Sequence, residues 1–409
     1  MSADDRISAA LATFVEKAQI AGAVALVWRN GRRSQEVAVG WRDIGQQLPM
    51  ERDTIFRIAS LTKPITSTAA LMLYEEGRFA LNDPISRYAP EFAHMRVLSS
   101  SDGSVEDSVP ATREITFLDL LTHRSGLTYG GLHSGPIGAA YAAALGMDID
   151  SDRSPDEWIA RLAELPLIDQ PGRAFHYGAS TELLGFLIAR IEGRSLQELL
   201  GARIFGPLGM TDTGFVPPAD KRIRCAKMYG FEASGRISER AAHPMNAPAF
   251  LPLRPEGLTY VSGGAGLWST ASDYLAFARM FIGEGSVGGV RLLSPQTLRM
   301  MTSNALTPQQ IEQARIMGWR TFPGQGFGLG VAVVLDPEAA VVHRCKGGVG
   351  TVGWPGAYGG WWQADPTEGS VLIFLAHNAL DMELASAGIG LGVYAAISQF
   401  HALASAELN

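Results

Sequence analysis

The chain has 409 residues, 46% hydrophobic and 18% charged, a composition that packs into a globular core and excludes intrinsic disorder. That length exceeds what one core usually serves, so two packed units are expected. A formal net charge of −7 offers nothing to attract nucleic acid or an anionic membrane.

The N-terminal stretch MSADDRISAALATFVEKAQIAGAV opens acidic, without the basic n-region and long apolar core of a signal peptide. No apolar run is long enough to span a bilayer, so a cytoplasmic protein is expected. Residues 4–20 carry Ile7, Leu11, Phe14, Val15 and Ala18 at helical spacing. GAVALVWRNGRR and SQEVAVGWRD read as two strands joined at Asn30-Gly31, a dipeptide suited to a tight hairpin turn. Residues 60–77 read as a helix ending at Gly77. From about 80 to 310 the period is mostly helical, as in TFLDLLTH, SPDEWIARLAEL, STELLGFLIARIEG, LQELLGARIF and ASDYLAFARMFIG, with a small hairpin expected within 216–237. After 320 the period changes: GFGLGVAVVLD, AVVHRCKG, GGWWQADP and SVLIFLAHN read as consecutive antiparallel strands, and 382–405 as a helical tail.

Strands at both ends of the chain with helices between imply an α/β (α+β) architecture. One antiparallel sheet, built from 1–79 and 311–409 and flanked by the terminal helices, would stand beside a mostly helical unit, 80–310. A cleft between the two is the default ligand site.

Chemistry concentrates at FRIASLTKPITS. The chain has 34 basic residues, only five of them lysine, and Ser60 is its one serine with a lysine three positions on, Lys63. Positions i and i+3 share a helix face. A serine needs a nearby base to become a nucleophile, and burial disfavours the lysine ammonium. Pro64 suits the first turn, whose free N–H groups could face an oxyanion. S-x-x-K alone is a weak pattern. The rival serine-hydrolase elbow G-x-S-x-G is absent, as is H-E-x-x-H. Further along, PGRAFHYGASTELLG sets Tyr177 directly before a helix. GGVGTVGWPGAYGGWWQADP is a strand so rich in glycine that a ligand could approach its backbone.

Taken together and in order, these motifs resemble the serine β-lactamase/penicillin-recognising superfamily, most closely its class C branch and the related family VIII carboxylesterases. SLTK resembles the nucleophile motif, and YGA (177–179) the tyrosine motif. WPG (354–356) resembles the strand motif that reads lysine-threonine-glycine in lactamases and tryptophan-glycine-glycine in the esterases. LLTHRSGL (120–127), PLGMTDTGF (207–215) and SGGAGLWSTASDYLAFARMF (262–281) resemble structural signatures. The resemblance implies Ser60 as the acylated nucleophile, Lys63 as the lysine that polarises it and Tyr177 as the proton shuttle. It makes the backbone N–H groups of Ser60 and Ala357 the oxyanion hole, and places Ala179, Trp354, Gly356 and Tyr358 against substrate. It implies no cofactor and no metal, and a small-molecule ester as partner.

Two departures from the lactamase pattern matter. Ala179 stands where lactamases carry an asparagine, and Trp354 where they carry a lysine that faces the substrate carboxylate. Tryptophan offers apolar surface but no charge, which favours uncharged acyl compounds. Pro355 removes one backbone donor from that strand.

Other residues read as structural. His123 is expected to pack in the helical part and His176 to point away from Tyr177. Asp273 and Asp365 read as cap or turn residues, and Cys225 and Cys345 as free thiols. Of Trp361 and Trp362, on opposite faces of a strand, one is expected in the core and one toward the cleft. Tyr141 and Met147 are candidate acyl-pocket residues. Three activities remain open: a serine carboxylesterase for short-chain or aryl esters, a β-lactam hydrolase, amidase, D-peptidase or acyltransferase of the same chemistry, and a non-catalytic penicillin-binding-like protein. Oligomeric state is not legible.

Overall fold

The computed structural model describes residues 3–100, 103–133, 135–146, 149–240, 259–344 and 347–406. Met147 and Cys345 lie outside them. The hairpin at Asn30-Gly31 forms as its composition dictates: both residues take positive φ, 53° and 74°, the turn geometry that matches strand twist. It joins Gly22–Arg29 to Arg32–Asp43. An eight-stranded sheet grows on either side of it. Its order is Gln325–Phe327, Ala332–Val334, Val352–Gly356, Gly360–Asp365, Ser370–Ala376, Gly22–Arg29, Arg32–Asp43 and Leu48–Pro49. All of these pairings are antiparallel. The two ends of the chain meet where Ala23 faces Ala376 and Val27 faces Leu372.

Side chains alternate between the two faces, and each face has its own cover. Ala23, Ala25, Val27, Leu372 and Phe374 lie under the terminal helices Ala3–Glu16 and Gly392–Ala406, against Ile7, Leu11, Ile397 and Phe400. Val24, Leu26, Ile373 and Leu375 face the larger core, which continues through the central helix Thr62–Glu75 into the helical part. Cover on both faces explains why Ser370–Ala376 is buried along its whole length and reads as an unbroken apolar run.

Three expectations need correction. AVVHRCKG is not a strand: Pro337–Arg344 is a helix. Its β-branched valines read as strand formers, but Val341 and Val342 are exposed. The Asp336 carboxylate caps the start by accepting from the N–H groups of Glu338 and Ala339 at 3.0 and 3.2 Å, and local capping outweighs side-chain propensity there. GFGLGVAVVLD is not one strand but two short ones, turned back on each other through Gly330 (φ 91°). Neither Trp361 nor Trp362 faces a cleft. Trp362 is fully buried against Tyr274 and Phe281, and Trp361 packs on the opposite face beside His401. Tyr141 is buried within the larger core. Among the described residues no helix is long and apolar enough to cross a membrane.

Candidate active site

The short strand Phe56–Arg57 pairs with Trp268–Ser269, and the Ile58 N–H donates to the Leu267 carbonyl at 3.0 Å. Ala59 then takes φ 46°, a left-handed conformation that costs a residue with a Cβ roughly 1–3 kcal/mol. The kink turns the chain so that Ser60 lies in a 3-10 turn, Ala59–Leu61, which runs directly into the helix Thr62–Glu75. Ser60 therefore precedes the α-helix, rather than opening it as the spacing suggests. The junction is pinned. Tyr274 donates to the Leu61 carbonyl at 3.0 Å, Thr66 to the Gly263 carbonyl at 2.6 Å, and the Leu267 N–H to Thr62 Oγ1 at 3.2 Å.

Lys63 is 1% exposed. Its Nζ lies 3.3 Å from Ser60 Oγ, 3.2 Å from the Tyr129 hydroxyl and 2.9 Å from the Gly264 carbonyl oxygen. The Tyr177 hydroxyl is 2.7 Å from the same Ser60 Oγ, and Lys63 Nζ sits 4.7 Å from the centre of its ring. Tyr177 reaches this place because Gly178 runs against the backbone of Thr128, so closely that a Cβ would collide. Ala179 sits at the N-cap position of the next helix, Ser180–Glu192, where its methyl makes no capping hydrogen bond.

The strand Val352–Gly356 closes the other side. Trp354 is buried, and its indole Nε1–H donates to the Tyr177 oxygen at 3.3 Å, with ring centres 5.3 Å apart. A Cβ on Gly356 would lie 2.8 Å from the Ile58 carbonyl oxygen. This close approach needs glycine, and it brings the turn beginning at Ala357 alongside the serine's own segment. Ser60, Lys63, Tyr177, Trp354 and Gly356 thus converge. Ala179 and Tyr358 are also near, but their side chains are buried in packing, Tyr358 with Ala59, Met228 and Ala379.

Two residues at the site carry no motif in the sequence. The Tyr129 hydroxyl donates to the Glu182 carboxylate, at 2.7 and 2.8 Å from its two oxygens. Ser262 donates to the same carboxylate at 3.1 Å. Glu182 is 3% exposed, and among the described residues no cation makes a direct ion pair with it. Burial, then the Glu182 charge, hold Tyr129 well above the usual phenol range, so it keeps its proton and can donate it. A signal existed: Glu182 is the one acid inside STELLGFLIA, an otherwise apolar helix.

His123 lies behind Tyr177, with ring centres 5.0 Å apart, and packs edge-on against Phe175 and Phe327. Burial first, then the Lys63 charge, push it well below the usual imidazole range, which makes it a neutral support. His176 turns away to Asp169 at 3.3 Å, as expected. Cys225 is a free thiol that burial pushes up to about 12, too high for a nucleophile at neutral pH.

A serine hydroxyl held between a phenol and a lysine, at the end of a strained turn, can attack a carbonyl carbon and be acylated. The beta-lactamase family model matches residues 7–390 of this chain. Protein Rv1367c of Mycobacterium tuberculosis is 42% identical over 91% of this chain and 90% of its own. Esterase EstB of Burkholderia gladioli is 32% identical over 92% and 91%. Among solved structures, EstCE1, described as a hydrolase with promiscuous acyltransferase activity, superposes with a TM-score of 0.78 and 26% identity over 97% of this chain and 98% of that one. With the matched model spanning nearly its whole length, the chain belongs to the beta-lactamase family.

Proposed function

We propose that this protein is a serine carboxylesterase of the family VIII type, acting on uncharged short-chain or aryl esters through an acyl-enzyme on Ser60. The observation that carries the reading is the placement of Ser60 Oγ between the Tyr177 hydroxyl and Lys63 Nζ, at 2.7 and 3.3 Å. In acylation Tyr177, as a phenolate, takes the Ser60 proton as Oγ bonds to the carbonyl carbon. The C–O bond to the alcohol breaks, and the proton passes from Tyr177 to the leaving oxygen. In deacylation water gives its proton to Tyr177 and attacks the acyl carbon, and Ser60 leaves with that proton. The backbone N–H groups of Ser60 and Ala357 receive the developing oxyanion. The cleft lies between the sheet unit, 1–79 with 311–409, and the helical unit, 80–310.

Trp354 supports the choice of ester over β-lactam. It offers an apolar ring and an N–H, where a lactam carboxylate would need a cation. Losing one charge-assisted hydrogen bond of roughly 1.5–3 kcal/mol removes about one to two orders of magnitude in binding. The test is kcat/KM for p-nitrophenyl butyrate against benzylpenicillin on one preparation. The ester should win by a wide margin, and a penicillin preference would overturn the reading. A second reading, acyl transfer to an alcohol, is favoured by the likeness to EstCE1. It is read by butyl ester formation when butanol is added to the same assay.

A further inference from the structure

The site contains a buried carboxylate that the acyl-enzyme chemistry does not itself use. We infer that Glu182, acting through the Tyr129 phenol, holds Lys63 as an ammonium ion and so leaves the Ser60 proton to Tyr177. The inference rests on the reading of Ser60 as nucleophile.

Two proton arrangements fill the hydrogen bonds around Ser60. In one, a neutral Lys63 donates to Tyr129 and Gly264 and accepts from Ser60, while Tyr177 keeps its proton. In the other, an ammonium donates to Ser60, Tyr129 and Gly264 together, at 3.3, 3.2 and 2.9 Å, and Tyr177, 2.7 Å from Ser60 Oγ, either donates to it as a phenol or accepts from it as a phenolate. The donors and acceptors do not separate the two, but charge does. The single Tyr129 proton points to Glu182, so the Tyr129 oxygen can only accept from Lys63. That leaves a carboxylate one phenol away from Nζ, with both side chains buried, where opposite charges interact strongly. The neutral-lysine arrangement would strand Glu182 as a buried charge with no cation near it, which is costly. The ammonium supplies that cation, and the Trp354 indole N–H at 3.3 Å gives the Tyr177 oxygen a donor suited to a phenolate.

The local backbone is built around this carboxylate. A Cβ on Gly264 would collide with the Glu182 carboxylate, and Gly264 is also the residue whose carbonyl accepts from Lys63. One glycine therefore admits the acid and binds the base. Glu182 and Tyr129 make no hydrogen bond to Ser60 and act on it through Lys63, so they are positioning residues.

The titratable groups facing the network are Lys63 on the central helix, Tyr129, Tyr177 before the helix Ser180–Glu192, Glu182 within it, His123 behind Tyr177, and Tyr260 beside Tyr129. Burial keeps His123 neutral, so it does not titrate in the alkaline range. The alkaline limb of turnover should therefore respond to the charge that Glu182 places beside Tyr129 and Lys63. Glu182→Gln keeps the shape and the acceptor for Tyr129 but removes the charge. Its alkaline limb in the kcat profile for p-nitrophenyl butyrate should move down by about one pH unit or more, the usual size of a charge effect at this range. Glu182→Asp, which keeps the charge, should hold the wild-type limb even if kcat falls. A limb that does not move in Glu182→Gln, or that moves equally in both variants, overturns the inference.

A second measurement needs no variant to fold. The chain has five lysines, few enough for side-chain ε-carbon and ζ-nitrogen NMR to resolve each in the wild-type enzyme. Lys63 should be an ammonium at pH 7, and a neutral Lys63 overturns the inference directly. Turnover surviving in Ser60→Ala would instead remove the serine-esterase reading. If Ser60→Ala is inactive and the limb does not move, only the role of Glu182 falls.

Discussion

Lysine and arginine are not interchangeable at position 63. The cavity that holds Nζ is closed by Ser60, Tyr129 and the Gly264 carbonyl, and a planar guanidinium is too large for it although it keeps the charge. Lys63→Arg and Lys63→Ala should each lower kcat by roughly 10² or more, as should Tyr177→Phe. Because the two residues serve one proton path, the losses should not add in the Lys63→Ala/Tyr177→Phe double variant. Additive losses would mean that they act separately. Trp354→Phe is subtler. It keeps the ring but deletes the N–H that donates to Tyr177, a hydrogen bond with a net contribution of about 0.5–1.5 kcal/mol. A kcat loss of about 3- to 10-fold with little change in KM is expected, whereas a KM effect alone would show that Trp354 serves substrate binding only. Ser60, Lys63 and Tyr177 can be found in the sequence because their spacing and neighbours form motifs. Tyr129 and Glu182 cannot be paired from sequence, since 53 positions separate them and a helix acid ordinarily reads as solvent-facing.

Elements are legible where one force dominates. The Asn30-Gly31 hairpin follows from backbone sterics alone, and the apolar strand Ser370–Ala376 from burial on both faces. Pro337–Arg344 reads wrongly as a strand because its valines favour one, while a single cap, Asp336, sets the helix. Asp336→Ala should cost about 1 kcal/mol in a urea titration, and no change would mean that packing alone holds the helix. A larger effect is expected at Arg57, three residues before Ser60. Its side chain is fully buried and pairs with Asp150 at 2.5 Å. It also stacks on Trp268, 5.6 Å from the ring centre. The pair ties the loop carrying Asp150 to the strand that delivers the nucleophile. Asp150→Asn removes a charge paired with a buried guanidinium at 2.5 Å and should cost up to about 3–5 kcal/mol. The same urea titration of Arg57→Met/Asp150→Asn should recover part of the loss. If the double variant is no more stable than Asp150→Asn, the lost charge pairing is not the cause.

At the scale of the whole molecule, one sheet draws strands from both ends of the chain, so its stability depends on groups far apart in sequence. His377, just past the strand Ser370–Ala376, is fully enclosed. Burial first, and then the neighbouring Arg57 charge, hold it down to about 3 against an ordinary 6.5. The folded protein therefore keeps this imidazole neutral while the unfolded chain protonates it as pH falls through about 6.5. Stability from this group is complete above that pH and declines toward pH 3. The decline amounts to a few kcal/mol, because each pH unit between the folded and unfolded values is worth about 1.4 kcal/mol. The urea midpoint should fall steadily between about pH 7 and pH 4, and His377→Gln should flatten that dependence. The most direct test concerns Ser60. The protein is treated with a fluorophosphonate ester and digested, and the labelled peptide is sequenced, while p-nitrophenyl butyrate turnover is followed in parallel. The expected result is a single label, on Ser60, whose formation tracks the loss of activity and is slowed by the ester substrate. A label on another residue, or full activity in a protein completely labelled at Ser60, would contradict the acyl-enzyme.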